Sequence, residues 1–480
     1  MKKLLFFTMS AMLLAACSSE ELSAPETSKE VADNAVVKFD AYALRGLTRA
    51  GAAGDVTNDN IGNKGFGVFA YYTEGATYSK KATPNFMYNQ KVTKSGTAWT
   101  YEPAKYWPNQ FGNNANSEKT DYVTFFAYAP WTEFTPTTGK PVVADANAVH
   151  DQNYNIIGIN DNKTAGDPIV KYVVDTDPAT SVDLLWGVAA DATTYAPVTA
   201  DGDIQNVEGL PFLNLIKPSS AVDSKVKFNL RHALAKVKVT VDFIADATSA
   251  AGTPADINAD ETRIFIREAS ISGIALEGAL NLNNTVSNQP LWKDIDGEKN
   301  LVFSENVEFF DGRRDGYEGT ENGFNNGESN IMLNPVLVEN YAAPVMESGI
   351  YKFGTTKNAG VTKDAQFLFT SAPSIDVTDA DAGFFYVIPR SGGQNVDVRL
   401  VYDVETIDGR VAGLLSDRFT HGKSITNDII QQAIFGAGVD FEPGKQYVIK
   451  IHLGMTSVKV DAVVTDWTDT DPVSSIVPGN

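Results

Sequence analysis

The chain has 480 residues, with 39 Lys or Arg against 60 Asp or Glu, a formal charge of −21. A surface of that sign repels phosphate backbones and anionic headgroups, which excludes nucleic acid as a natural partner. The 43% hydrophobic and 10% aromatic content, with 38 glycines and 21 prolines, suits an ordered β-rich body too long for one hydrophobic core.

Lys2 and Lys3 precede an apolar run from Leu4 to Ala16. Residues 1–16 read as a secretory signal peptide, too short to span a bilayer as a mature helix. Leu14-Ala15-Ala16-Cys17 resembles the bacterial lipoprotein box, in which the cysteine sulfur is acylated before cleavage makes it the first residue. Cys17 is the only cysteine, so no disulfide can form within the chain. The two or three acyl chains of such a lipoprotein each add about 0.8 kcal/mol per buried CH₂, which holds it stably at a membrane. Residues 17–35 are then a lipidated tether. Its Ser18-Ser19-Glu20-Glu21 start resembles the signal by which some Gram-negative anaerobes send lipoproteins to the outside of the outer membrane.

The next stretch, Val36 to Gly54, alternates. Val37, Phe39, Ala41 and Ala43 face one way in an extended chain, and Lys38, Asp40 and Tyr42 the other, the pattern of a half-buried strand. Arg45 and Arg49 follow among Gly46, Thr48, Ala50, Gly51 and Gly54, small residues that open the backbone to a protease. On its own the pattern fits best an ordinary first strand with a surface loop, but it also fits a strand that can be cut away.

Short runs rich in Val, Ile, Phe, Tyr and Thr then recur between Gly, Asn, Asp and Pro, as in Gly67 to Tyr72, Tyr122 to Tyr128 and Phe384 to Ile388. No apolar stripe of helical period lasts three turns, and the best helical candidate is a short one around Asn427 to Ile434. The class is all-β, with sandwiches favoured over a barrel. A composition shift between Pro211 and Ser224 divides the body near residue 222, into 36–222 and 223–480. Asp311 to Asn330 reads as a long polar insertion.

Candidate chemistry is sparse. The four histidines, His150, His232, His421 and His452, are scattered, and no H-E-x-x-H, G-x-S-x-G or phosphate-cradling glycine motif occurs. His232 is expected to open a strand and bond locally. The turns Asp294 to Gly297 and Asp469 to Asp471 lack the spaced ligands of a calcium loop. Neither a metal, a cofactor nor a catalytic site is expected. Aromatics between Trp99 and Pro108 belong either to a core or to a platform for sugar rings.

Taken in order, these motifs resemble the fimbrillin family, the subunits of type V pili of two-membrane gut and oral anaerobes. The matching features are the box at Cys17, the arginine after the first strand and Trp99 to Pro108 leading into Phe125-Phe126-Ala127-Tyr128-Ala129-Pro130. With them go the stretch Phe228 to Val241 around His-Ala-Leu-Ala-Lys, and the ending from Glu442-Pro443-Gly444-Lys445-Gln446-Tyr447 to Trp467. The resemblance implies two tandem transthyretin-like β-sandwich domains with long loops. It implies export as a lipoprotein held in the outer membrane by lipid on Cys17, and cutting by an arginine-specific surface protease after Arg49, or Arg45. The first strand, with Val37, Phe39 and Ala41, is displaced, and a neighbouring subunit's strand takes its place in a homo- or heteropolymer that adheres to a host or bacterial surface ligand. Beyond Pro472, Val473, Ile476 and Val477 are the candidates for that donor strand. A surface glycan-binding lipoprotein, or a pilus tip or anchor subunit, is the alternative.

Cys17→Ala is expected to leave unprocessed precursor and little surface protein, and metabolic labelling with a fatty acid checks it: label on the mutant equal to that on the parent would refute acylation at Cys17.

Overall fold

In the computed structural model the described residues are 36–43, 56–58, 60–108, 121–142, 155–175, 181–190, 209–216, 225–243, 262–284, 290–297, 299–302, 307–311, 345–347, 350–352, 367–368, 374–376, 384–389, 396–407, 419–421, 425–430, 441–453 and 458–466. They are almost wholly strand. In chain order come β1 (Lys38–Ala43), the four-residue helix α1 (Ile61–Lys64), β2 (Phe66–Tyr72), β3 (Met87–Ser95), β4 (Ala98–Thr100), β5 (Val123–Ala129), β6 (Ile156–Ile159) and β7 (Ile169–Val173). Next are β8 (Leu185–Ala189), β9 (Phe212–Leu215), β10 (Lys225–His232), β11 (Ala235–Phe243), β12 (Thr262–Ser272), β13 (Glu277–Asn281), β14 (Leu291–Lys293), β15 (Val307–Asp311) and β16 (Val345–Glu347). The last are β17 (Ile350–Lys352), β18 (Phe367–Leu368), β19 (Ser374–Asp376), β20 (Phe385–Val387), β21 (Asp397–Ile407), β22 (Phe419–His421), β23 (Ile425–Ile430), β24 (Lys445–Leu453) and β25 (Val458–Asp466).

The first sheet runs β1-β10-β8-β5-β2-β3-β4, with β9 also on β5. Its central strands, β2 (FGVFAYY), β5 (VTFFAYA) and β8 (LWGVA), are buried on both faces, which is why they are near-continuous apolar runs. One face carries Phe66, Val68, Phe125, Ala127, Leu185 and Phe228 into a first core. The other carries Phe69, Tyr71, Phe126, Tyr128, Trp186 and Val188 into a second.

That second core is shared. It takes Val170 and Tyr172 from β7 and Leu280 from β13, in the sheet β14-β13-β7-β6. It also takes Val237, Val239, Tyr447 and Ile449 from β11 and β24, in the sheet β19-β11-β24-β25. A further sheet, β15-β12-β21-β22, carries β18 and β23, and β16 pairs with β17.

The chain changes sheet at Ala233-Leu234, both fully buried. Three parts of the fold fasten this crossing: Ala233 N–H donates to Leu184 O (2.8 Å), Trp292 Nε1–H to Ala233 O (3.0 Å) and Gly444 N–H to Leu234 O (2.8 Å). The boundary expected near residue 222 lies in 217–224, outside the described residues. β10, which follows it, is still hydrogen-bonded to β1 and β8 of the first sheet, and β13 and β14 return to pair beside β7.

Two local expectations are corrected. Of the short helix expected around Asn427 to Ile434, residues 427–430 lie instead in β23 (Ile425–Ile430), paired antiparallel along β21 from Asp397↔Ile430 to Tyr402↔Ile425, and 431–434 fall outside the described residues. Its Ile and Thr residues are β-branched and suit a pleated surface better than a helix. His232 ends β10 rather than opening a strand, and its Nδ1 meets Asp183 Oδ2 at 2.9 Å, a partner 49 residues away.

Close strand packing leaves no room for a side chain at Gly187. A Cβ on Gly187 would stand 2.8 Å from Ala127 Cβ and 2.9 Å from Phe228 Cδ1. Gly187→Ala must push β8 away from β5 and β10, so urea denaturation is expected to show a loss of about 1–3 kcal/mol; unchanged stability would mean that these strands can move apart freely.

Candidate functional site: the groove of the first strand

β1 lies at one end of the hydrogen-bonding order of the first sheet and, among the described strands, pairs with β10 alone, parallel, from Lys38↔Lys225 to Ala43↔Leu230. The four side chains on its inner face, Val37, Phe39, Ala41 and Ala43, are all buried in the first core, whereas Lys38 and Tyr42 face outward. Phe39 sits among four rings, with centroids 5.4 Å from Tyr101, 5.9 Å from Phe125 and 6.2 Å from each of Phe66 and Phe228. Aromatic pairs at such distances contribute about 0.5–1.5 kcal/mol each beyond the area they bury.

The outer edge of β1 is held by isolated groups instead of a second strand. Val37 N–H donates to Lys105 O at 2.8 Å, the Tyr101 hydroxyl donates to Val37 O at 2.8 Å, and Val36 is bridged to Tyr106. Ala43 N–H donates to Asn58 Oδ1 (2.8 Å), and Ala41 N–H to the carboxylate of its neighbour Asp40 (3.0 Å). Tyr101 directly follows β4, the opposite end of the sheet, so the sheet curls until its two ends meet across this seam. Burial pushes the Tyr101 hydroxyl up to about 12. It stays protonated below pH 10, and its hydrogen bond is lost only as the pH rises through about 12. The pair Asp40–Lys225, at 3.8 Å with both side chains about half exposed, adds little.

A cleft of about 820 Å³ opens at the same seam, lined by Asp40, Ala41, Tyr42, Asn58, Ile61, Lys94 and Trp99. Trp99 is half-buried with its ring 5.0 Å from Phe66, and Trp107 is fully buried 5.7 Å from Phe125. The aromatics from Trp99 to Trp107 therefore mostly line the core around β1, and the exposed ring among them is Tyr106.

The next described residues after the strand are Val56, whose N–H donates to Asp183 Oδ2 at 3.3 Å, and Thr57, whose N–H donates to Asn60 Oδ1 at 2.9 Å. Arg45 and Arg49 fall in 44–55, outside the described residues, as do Cys17, Val473, Ile476 and Val477. Tyr101 and Lys105, from the aromatic stretch Trp99 to Pro108, and Asn58, which no motif singles out, hold β1. Among the described residues no group of three or more His, Cys, Asp or Glu is placed to hold a metal ion.

No family model matches the chain. Over 181 residues it is 30% identical to the fimbrium subunit Fim1C of Phocaeicola vulgatus. Over that stretch the chain is similar to a fimbrium subunit. The matched stretch is 36% of this chain and spans 39% of the length of that curated relative. Among solved structures, the chain is similar to a fimbrial protein from Bacteroides vulgatus, with 17% identity, a TM-score of 0.44 and coverage of 91% of this chain and 100% of the other. It is also similar to the tip fimbrial protein Mfa3 from Porphyromonas gingivalis with C-terminal truncation, with 9% identity, a TM-score of 0.27 and coverage of 84% and 94%.

Phe39→Ala empties the space between four rings and is expected to destabilise the docking of β1 by about 3–5 kcal/mol. Hydrogen exchange checks this, the amides of 38–43 losing protection while those of β5 and β8 keep theirs; protection unchanged in β1 would contradict the central place given to that ring.

Proposed function

We propose that the protein is a non-catalytic structural subunit of a surface pilus of type V that supports cell adhesion. In this reading it is exported as a lipoprotein on Cys17, cut after Arg49 or Arg45 by an arginine-specific surface protease, and polymerised by exchange of its first strand. The likeness to a fimbrium subunit supports the pilus, and one observation carries the exchange: among the described strands β1 is paired to β10 alone, yet it supplies four buried side chains. Cutting between Ala43 and Val56 separates it from the rest of the chain without unthreading another strand. Burying Val37 and Phe39 is worth about 1.5–3 kcal/mol each, and each main-chain hydrogen bond about 0.5–1.5 kcal/mol. A body stripped of β1 loses several such terms and bares the edge of β10, a template for another strand.

A strand from a neighbouring subunit restores both the ladder and the buried side chains. In this chain the candidate donor is the segment with Val473, Ile476 and Val477. Because donor and acceptor surfaces differ, the contact does not close on itself and builds an open filament. Residues 36–222 and 223–480 are proposed as its two transthyretin-like domains, which place groove and donor in different halves of the subunit.

Arg45→Ala combined with Arg49→Ala is expected to give lipid-anchored monomers on cells; filaments of normal length would rule the scheme out. Deleting 471–480 is expected to stop donation while the monomer stays folded, and electron microscopy of sheared surface material reads the outcome. Filaments from the deleted chain would place the donor strand elsewhere.

A further inference from the structure

The outer edge of β1 carries a short row of polar groups. Ala41 N–H and Ala43 N–H are taken there by side-chain oxygens, Asp40 Oδ1 at 3.0 Å and Asn58 Oδ1 at 2.8 Å. Alternate residues of a strand repeat at about 6.5–7 Å, so a carboxylate and an amide stand about that far apart along the edge. Each keeps capacity beyond its bond to β1. Asp40 has its second oxygen, 3.8 Å from Lys225 Nζ, and Asn58, an exposed residue, has its NH₂ group.

Both residues line the cleft of about 820 Å³, whose other side is built by Trp99 and Lys94, directly paired between β3 and β4. The half-buried Trp99 ring is fixed by an edge contact with Phe66 at 5.0 Å. The Lys94 stem is backed by α1, where a Cβ on Gly62 would stand 3.1 Å from Lys94 Cβ, and its Nζ lies 5.9 Å from the Trp99 ring. Ala41 and Ile61 complete the lining but are only 7% and 2% exposed, so the apolar surface offered to a ligand is mainly aromatic, from Trp99 and from Tyr42, which is 39% exposed.

We propose that this cleft binds a neutral carbohydrate, a short oligosaccharide with one ring laid against Trp99 and its hydroxyls bonded to Asp40 and Asn58. A sugar ring has a weakly apolar C–H face and a polar rim. The cleft has an aromatic wall and a polar one, and among the described residues no apolar recess for a peptide side chain. Asp40 is offset by Lys94 and Lys225, so neither an anion nor a cation meets an uncompensated charge. A carboxylate beside an amide NH₂ offers acceptor and donor together, which matches hydroxyl groups that do both. The volume lies within the range of about 300–1,000 Å³ common to small-molecule sites.

The site is composite. Asp40 and Tyr42 come from β1, and Asn58, Lys94 and Trp99 from the body. It needs β1 in place, whether or not that strand is ever exchanged, and a bound sugar holds β1 down by mass action.

Isothermal titration calorimetry on the uncut chain tests this, with maltotriose, mannotriose, xylotriose and triacetylchitotriose as neutral probes and trigalacturonic acid as a charged one. At least one neutral probe is expected to bind saturably below about 10 mM and to raise the hydrogen-exchange protection of the amides of 38–43. Asp40→Ala and Trp99→Ala are each expected to weaken that binding at least about tenfold. Trp99 also packs on Phe66, so where its variant loses thermal stability the half-exposed Asp40 decides. The proposal is overturned if no neutral probe binds in that range, if Asp40→Ala weakens binding by less than that factor, or if trigalacturonic acid binds more tightly than every neutral probe. The uncut chain carries β1 in place, so these results bear on the cleft and not on strand exchange.

Discussion

The first sheet depends on the packing of Phe39 against Phe66, Tyr101, Phe125 and Phe228. These rings come from β1, β2, β5, β10 and the segment after β4, so one side chain touches both ends and the middle of the curled sheet. Around it the main chain adds little redundancy. β1 has a full ladder on one side and separate acceptors and donors from Lys105, Tyr101 and Asn58 on the other. Such an edge has few unpaired groups to offer another chain while β1 is present, which is how an edge strand avoids aggregation. Its removal takes that protection away and exposes the core in the same step.

The rest of the molecule is insulated from that event by the two-sided burial of the central strands. The same β5 that gives Val123, Phe125 and Ala127 to the first core gives Phe126 and Tyr128 to the second. Among the described residues of β1, none belongs to the second core, which joins the first sheet to β7, β13, β11 and β24. Loss of β1 therefore opens one side of the first sheet and leaves the other side packed. The fastening at Ala233-Leu234, with its bonds to Leu184, Trp292 and Gly444, lies wholly on that retained side.

Much of this was legible in the sequence because strands advertise themselves by alternation and by β-branched and aromatic content. The eight residues from Val36 to Ala43 and the runs in β2, β5 and β10 could be placed within a residue or so. What sequence could not supply was pairing. That β10 belongs beside β1, with nearly two hundred residues between them, is a long-range contact without a local signature. For the same reason the stretch Trp99 to Pro108 could be singled out without showing that its Tyr101 and Lys105 hold β1, and Asn58 reads as an ordinary loop residue. The helix sought near Asn427 failed for a related cause: six residues of mixed pattern take the conformation that their neighbour β21 imposes, and tertiary pairing overrides a weak local preference.

Parallel pairing at the edge has a consequence for how the groove can be filled. Neighbouring parallel strands need a long crossover, and here everything from Asn58 to Ser224 lies between β1 and β10. The loop-closure entropy for that contact is large and is set against one ladder and four side chains, which makes β1 a late and costly addition to its own domain. In the proposed exchange, a strand delivered by another subunit would avoid that intramolecular crossover but lose translational freedom instead, and tethering along a filament would reduce this loss by raising the effective concentration of the donor. The balance between resident and incoming strand is then decided by side-chain fit. Phe39, packed among four other rings, is the side chain on which that fit depends most.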